Sequence, residues 1–145
     1  MNVENTHLLE QYSHLEYLLL GDLRDLLEES PDPENRRWLL AVLEVLVDML
    51  PREFELARED GYLEFVRDRH PNWDRQVESL ERNHDRLYAR LRQLHRRISE
   101  NEWIGPVAND LREELAEWME ALLDHNHLET VLISEAANLD VGVAG

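Results

Sequence analysis

The stretch His125-Asn126-His127-Leu128-Glu129 sets an imidazole and a carboxylate one helical turn apart, so both can converge on one point. Reading this region in steps of four and three gives Leu111, Leu115, Trp118, Leu122, His125, Glu129, Leu132 and Ala136. That is one apolar seam, interrupted only by His125 and Glu129. Both should point into the core. Burying them without partners would cost several kcal/mol, so each requires a hydrogen-bond partner, an opposite charge or a metal ion.

A second polar interruption lies upstream. Val77, Leu80, His84, Leu87, Leu91, Leu94 and Ile98 form the cleanest seam in the chain, and a histidine takes one of its aliphatic positions. An offset of 72 residues carries Leu8 onto Leu80, Leu15 onto Leu87, Leu39 onto Leu111 and Leu50 onto Leu122, so the chain reads as two similar halves. The same offset carries Tyr12 onto His84, Glu53 onto His125 and Ala57 onto Glu129, which sets all six at one level. Two imidazoles and one carboxylate suffice to hold one Zn²⁺, Fe²⁺ or Mn²⁺ ion, with Glu53 a candidate fourth ligand. Tyr12 could donate a hydrogen bond to a ligand or bind iron as phenolate. The alternative is a metal-free cluster in which His84, His125, Glu129, Glu53 and Tyr12 satisfy one another. His14 stands two residues from Tyr12 and is a weaker ligand candidate, reachable by a shift of register. His127 lies about 200° around the helix from His125 and belongs at the surface. His95, His7 and His70 read as edge, surface or loop residues.

The elements that must position these groups are helical. The first should run from about residue 4 to 29 on the seam Leu8, Tyr12, Leu15, Leu19, Leu23 and Leu26. Ser30-Pro31-Asp32-Pro33 stops it and starts the second, with Asp32 as N-cap and Pro33 at the first helical position. The second carries Leu39, Leu43, Leu46, Leu50, Glu53 and Ala57; Pro51 lies within it and should kink it, though the seam continues in phase. Residues 62–69 read as a short linking helix, Asn72 as a cap for the third long helix, and the fourth spans about 106–138 with a loose tail after it. The expected fold is all-α: an antiparallel up-down-up-down four-helix bundle with a short linking helix between helices 2 and 3. It forms one domain over residues 1–145, with hairpins at about 4–60 and 72–138.

This pattern resembles the hemerythrin-like (HHE) cation-binding domains. His125-x-x-x-Glu129 is similar to the family's last His-x-x-x-Glu ligand pair, and Asn138-Leu-Asp140-Val-Gly142 to the stretch that often follows it. His84 within Glu-Arg-Asn-His-Asp-Arg-Leu matches the third-helix ligand, and Gly61-Tyr62-Leu63 resembles the link after the second helix. The resemblance implies a di-iron site completed by a first-helix His and a second-helix His-x-x-x-Glu. Here those positions hold Tyr12, Glu53 and Ala57, which points to a remodelled site with a single Fe or Zn ion, or none, rather than di-iron. It also implies a small ligand such as O₂ or NO.

Composition narrows the function further. With 43% apolar residues and only 5 Gly and 5 Pro in 145, the chain can build one helical core. A net charge of −17 opposes nucleic acid or an anionic membrane as partner; a protein partner, if any, would be basic. The arginines between Arg75 and Arg97 are interleaved with Glu78, Glu81 and Asp85, which suits helix-face ion pairs. All 15 basic residues are Arg, so lysine Schiff-base chemistry and lysine phosphate loops are excluded, and the lack of cysteine excludes thiolate sites and disulfides. No serine sits in a nucleophile turn and no glycine-rich phosphate loop occurs, so binding is expected rather than catalysis. The first residues lack a secretory pattern, and no apolar run approaches the roughly 20 residues of a membrane span. A cytoplasmic location is the expectation.

Overall fold

Apolar residues at helical spacing, few glycines and two short proline- or glycine-marked turns produce an all-helical chain. The computed structural model describes residues 3–59 and 62–144. Its elements are α1 (Val3–Glu28), α2 (Pro33–Glu59), α3 (Tyr62–Arg69), a three-residue 3₁₀ turn (Pro71–Trp73), α4 (Asp74–Glu100) and α5 (Gly105–Ala144). No strand occurs among the described residues, and no described helix is long and apolar enough to cross a membrane. Gly61, part of the expected link, lies outside the described residues.

The helix starts follow from local chemistry. Asp32 caps α2 as expected, its carboxylate accepting the Asn35 N–H at 2.7 Å. α2 then continues through Pro51 to Glu59. Asn72 does not cap α4: Pro71 draws residues 71–73 into the 3₁₀ turn, Trp73 takes the cap position, and no side chain bonds there. α5 starts at Gly105, whose φ of +42° only glycine adopts without strain, and runs on to Ala144, past the expected end at Asn138 and through most of the expected loose tail.

α2 packs between α1 and α4, α4 against α5, and α3 across α2, α4 and α5. A leucine-rich core joins the four long helices, and the α2 seam from Leu39 to Ala57 and the entire α4 seam are buried as the spacing dictates. Each fully buried leucine contributes roughly 1.5–3 kcal/mol against exposure. α1 agrees with expectation at Leu19 and Leu23, with Tyr12 and Leu26 packed against the core, and departs from it elsewhere. Its inner face is Leu9, Glu16, Leu19, Leu20 and Leu23, while Leu15 is 37% exposed. Buried Leu9, Leu20 and Leu23 match Leu80, Leu91 and Leu94 at an offset of 71, while buried Leu19 keeps its match to Leu91 at 72, so α1 is related to α4 less regularly than α2 is to α5. His95, expected opposite Leu23, sits at the edge 3.8 Å from Glu44.

Arginines tie the halves together. Arg36, on the first turn of α2, donates to the carbonyls of Ile98, Ser99 and Asn101 at the end of α4. Arg112 on α5 donates in turn to the carbonyls of Leu27 and Glu29 at the end of α1. These carbonyls have no partner within their own helix, so a guanidinium there satisfies acceptors and opposes the negative end of the dipole. Rather than along the α4 face, as the interleaved sequence suggests, arginines pair between helices: Arg67 of α3 meets Glu81 of α4 at 3.1 Å, and Arg90 and Arg97 of α4 meet Glu114 of α5 at 2.8 Å each.

Candidate metal centre

α4 and α5 bring His84, His125 and Glu129 together. Their ligand atoms all lie within 4.8 Å of one another. Glu129 Oε2 is 3.2 Å from His84 Nε2 and 3.3 Å from His125 Nε2. The first contact is a hydrogen bond; the second has the distance without the alignment, so His125 Nε2 is buried with no hydrogen-bond partner. Both imidazoles are almost wholly enclosed, and the Glu129 side chain is 17% exposed. Burial pushes the Glu129 carboxyl upward, but the two imidazoles beside it, His125 and His84, outweigh it and hold the pKa at about 2.

The rings are fixed by residues whose part was not legible in the sequence. Phe54, from α2, stacks on His84 with centroids 3.9 Å apart and planes within 5°. His84 meets His125 edge-on at 4.4 Å. Asn83 on α4 places its side-chain amide nitrogen, Nδ2, 2.8 Å from His125 Nδ1. A bond to the outer nitrogen of a histidine sets its tautomer and orients the inner nitrogen.

Glu53 and the expected first-helix candidates are arranged differently. Glu53 is buried at the same level, but its carboxyl turns toward α1, accepting a hydrogen bond from Ser13 Oγ at 3.1 Å. Its neighbour there is Glu16, also buried, which accepts a bond from Asn126 Nδ2 at 3.0 Å. Burial first, then the charge and hydrogen bond of Glu16 and the charge of Glu129, push Glu53 up to about 10. This favours the protonated form of Glu53, whose second oxygen, Oε2, is buried without a hydrogen-bond partner. Tyr12 is half-buried against Leu9, Leu56 and Ala57, and among the described residues it makes no hydrogen bond to the three clustered groups. His14 and His127 are exposed. His70 is half-buried, stacked on Trp73 and 3.2 Å from the Ala136 carbonyl oxygen. Tyr12 packs against the core as its seam position suggests, while Ser13 and His14 are exposed. Glu16 could have been found as a carboxylate on the alternative α1 stripe 9-12-16-19-23; Asn83 and Phe54 carried no comparable signal.

A cleft of about 380 Å³ opens between α1, α2 and α5, lined by Ser13, Glu16, Glu53, Phe54 and Glu129 among others. It connects the exposed edge of Glu129 with the protonated Glu53.

No family model matches this chain, and neither the curated proteins nor the solved structures compared with it contain a match. The donor set must therefore speak for itself. Two imidazole nitrogens and a carboxylate oxygen facing one point, one of them a buried orphan, fit a divalent first-row ion.

Proposed function

We propose that this protein binds a single divalent cation, zinc or ferrous iron, through His84, His125 and Glu129. The observation that carries the reading is the buried His125 Nε2, unpartnered and facing the same point as His84 Nε2 and Glu129 Oε2. Such an ion would act as a Lewis acid and accept a small ligand. The residues do the positioning: Phe54 fixes the plane of His84, Asn83 that of His125, and Glu129 supplies the negative charge. The resemblance to hemerythrin-like domains supports the same reading. It agrees with an up-down-up-down antiparallel order, which the short turns at 29–32 and 101–104 favour, and with a diatomic ligand such as O₂ or NO entering by the α1–α5 cleft.

The test is elemental analysis of protein purified without added metal, beside His125→Ala and Glu129→Ala. About one ion per chain is expected in the parent and none in the variants. Sub-stoichiometric metal that ignores both substitutions would sink the reading.

A second reading rests on Asn83. If its amide N–H donates to His125 Nδ1, the remaining ring proton sits on Nε2, 3.3 Å from Glu129 Oε2, and a small turn of the ring would align the two. The cluster is then a metal-free bundle core, in which His84 and His125 serve Glu129 alone. Melting temperatures indifferent to chelator and to added metal belong to this second reading.

A further inference from the structure

At the opposite end of the α1–α2 pair, about 20 Å further along α2 from Glu53 at 1.5 Å per residue, lies a groove of about 740 Å³. Its floor is apolar, with Leu19, Leu26 and Val42, and two large apolar side chains stand open on its wall, Trp38 at 56% and Val45 at 42% exposure. Its rim is acidic. Asp22, Asp25 and Glu29 follow one another at helical spacing along α1, Glu34 faces them from α2, and no arginine lines the groove. None of these four carboxylates forms a salt bridge among the described residues, although 15 arginines are available to a chain that pairs Glu81 and Glu114 elsewhere.

We propose that this groove is a docking site for a basic amphipathic helix of another protein. Its apolar stripe would seat against Trp38 and Val45, with arginine or lysine over Asp25, Glu29 and Glu34. An unpaired carboxylate rim attracts and orients such a helix, and an exposed tryptophan at the wall is the residue type that dominates binding energy at interfaces. A second copy of this chain fits less well. Its arginine-rich helix, α4, has its apolar face buried in its own core and so offers no stripe to the floor.

The test uses a designed, fluorescein-labelled helical peptide of about five turns, with leucines at i, i+3, i+4 and i+7 and lysines on both flanks. A scrambled peptide of the same composition serves as control. Anisotropy should show micromolar binding that weakens with salt, at least tenfold tighter than for the scrambled control. Trp38→Ala should weaken it at least tenfold. The triple variant Asp25→Asn, Glu29→Gln, Glu34→Gln should remove most of the salt dependence. These positions are exposed or rim residues, and circular dichroism melting confirms that each variant folds. Equal binding of the two peptides, or a Trp38→Ala variant that binds unchanged, would overturn the proposal. So would sedimentation showing a dimer of this chain that Trp38→Ala dissociates.

Discussion

Asn83 reaches His125 from the neighbouring helix, its amide 2.8 Å from Nδ1, so a residue that binds nothing else at the site decides which face of the imidazole carries a lone pair. The amide nitrogen stands against Nδ1; a half-turn of the amide about its Cβ–Cγ bond would set its oxygen to accept Nδ1–H and leave His125 Nε2 free to bind a cation. Asn83→Asp keeps an acceptor there and should hold or tighten zinc affinity. Asn83→Leu should weaken it about tenfold to a hundredfold, the usual range for such outer partners. Competition against a chromophoric chelator measures both, and equal affinity in the two variants would remove Asn83 from the account.

Metal should also register as stability. A cation that binds only the folded chain, present at a hundredfold over its Kd, adds about 2.7 kcal/mol, or about 5–10 °C in melting temperature for a chain of this size. The rise should vanish in Glu129→Ala. Calorimetry with and without zinc after chelator treatment is the measurement.

Glu53 gives a pH dependence of definite sign. Its pKa stands at about 10 in the fold against 4.5 normally, so its contribution is fully present below about pH 4.5 and is lost as pH rises toward 10. Glu53→Gln keeps the shape of the protonated group and removes the titration. The variant should match the parent near pH 4 and exceed it by about 1–3 kcal/mol at pH 8. Urea melts at the two pH values compare them; a constant difference would show that Glu53 is ionised in the fold.

Gly21 interrupts α1 without a packing reason. Nothing lies within 4 Å of where its Cβ would be, so Gly21→Ala should stabilise the protein by up to about 1 kcal/mol through helix propensity alone. Thermal melting reads this directly, and a destabilised variant would mean that α1 needs the glycine.

Most of the helical architecture could be read from spacing, because leucines at three- and four-residue steps leave little choice of inner face on α2, α4 and most of α5. The three clustered groups were legible for the same reason: a histidine or glutamate on a leucine seam is conspicuous. α1 misled because leucines occur on two faces. Leu8 and Leu15 compete with Leu9 and Leu20, and spacing alone does not weigh one stripe against the other. Only the packed helix shows that Glu16 is inside. Asn72 misled because a proline immediately before a cap residue can open a 3₁₀ turn instead. Asn83 and Phe54 act across helices, and a linear pattern carries no record of which side chains meet there.

The exchange of arginines between the halves has one more consequence. Arg36 closes the last turn of α4 and Arg112 the last turn of α1, so neither hairpin owns the groups that finish its own leading helix. A gene cut between α3 and α4 would yield two fragments with frayed ends that become whole only on meeting. The two hairpins thus complete each other within one chain, and reassembly from separated pieces is the behaviour expected of such mutual closure.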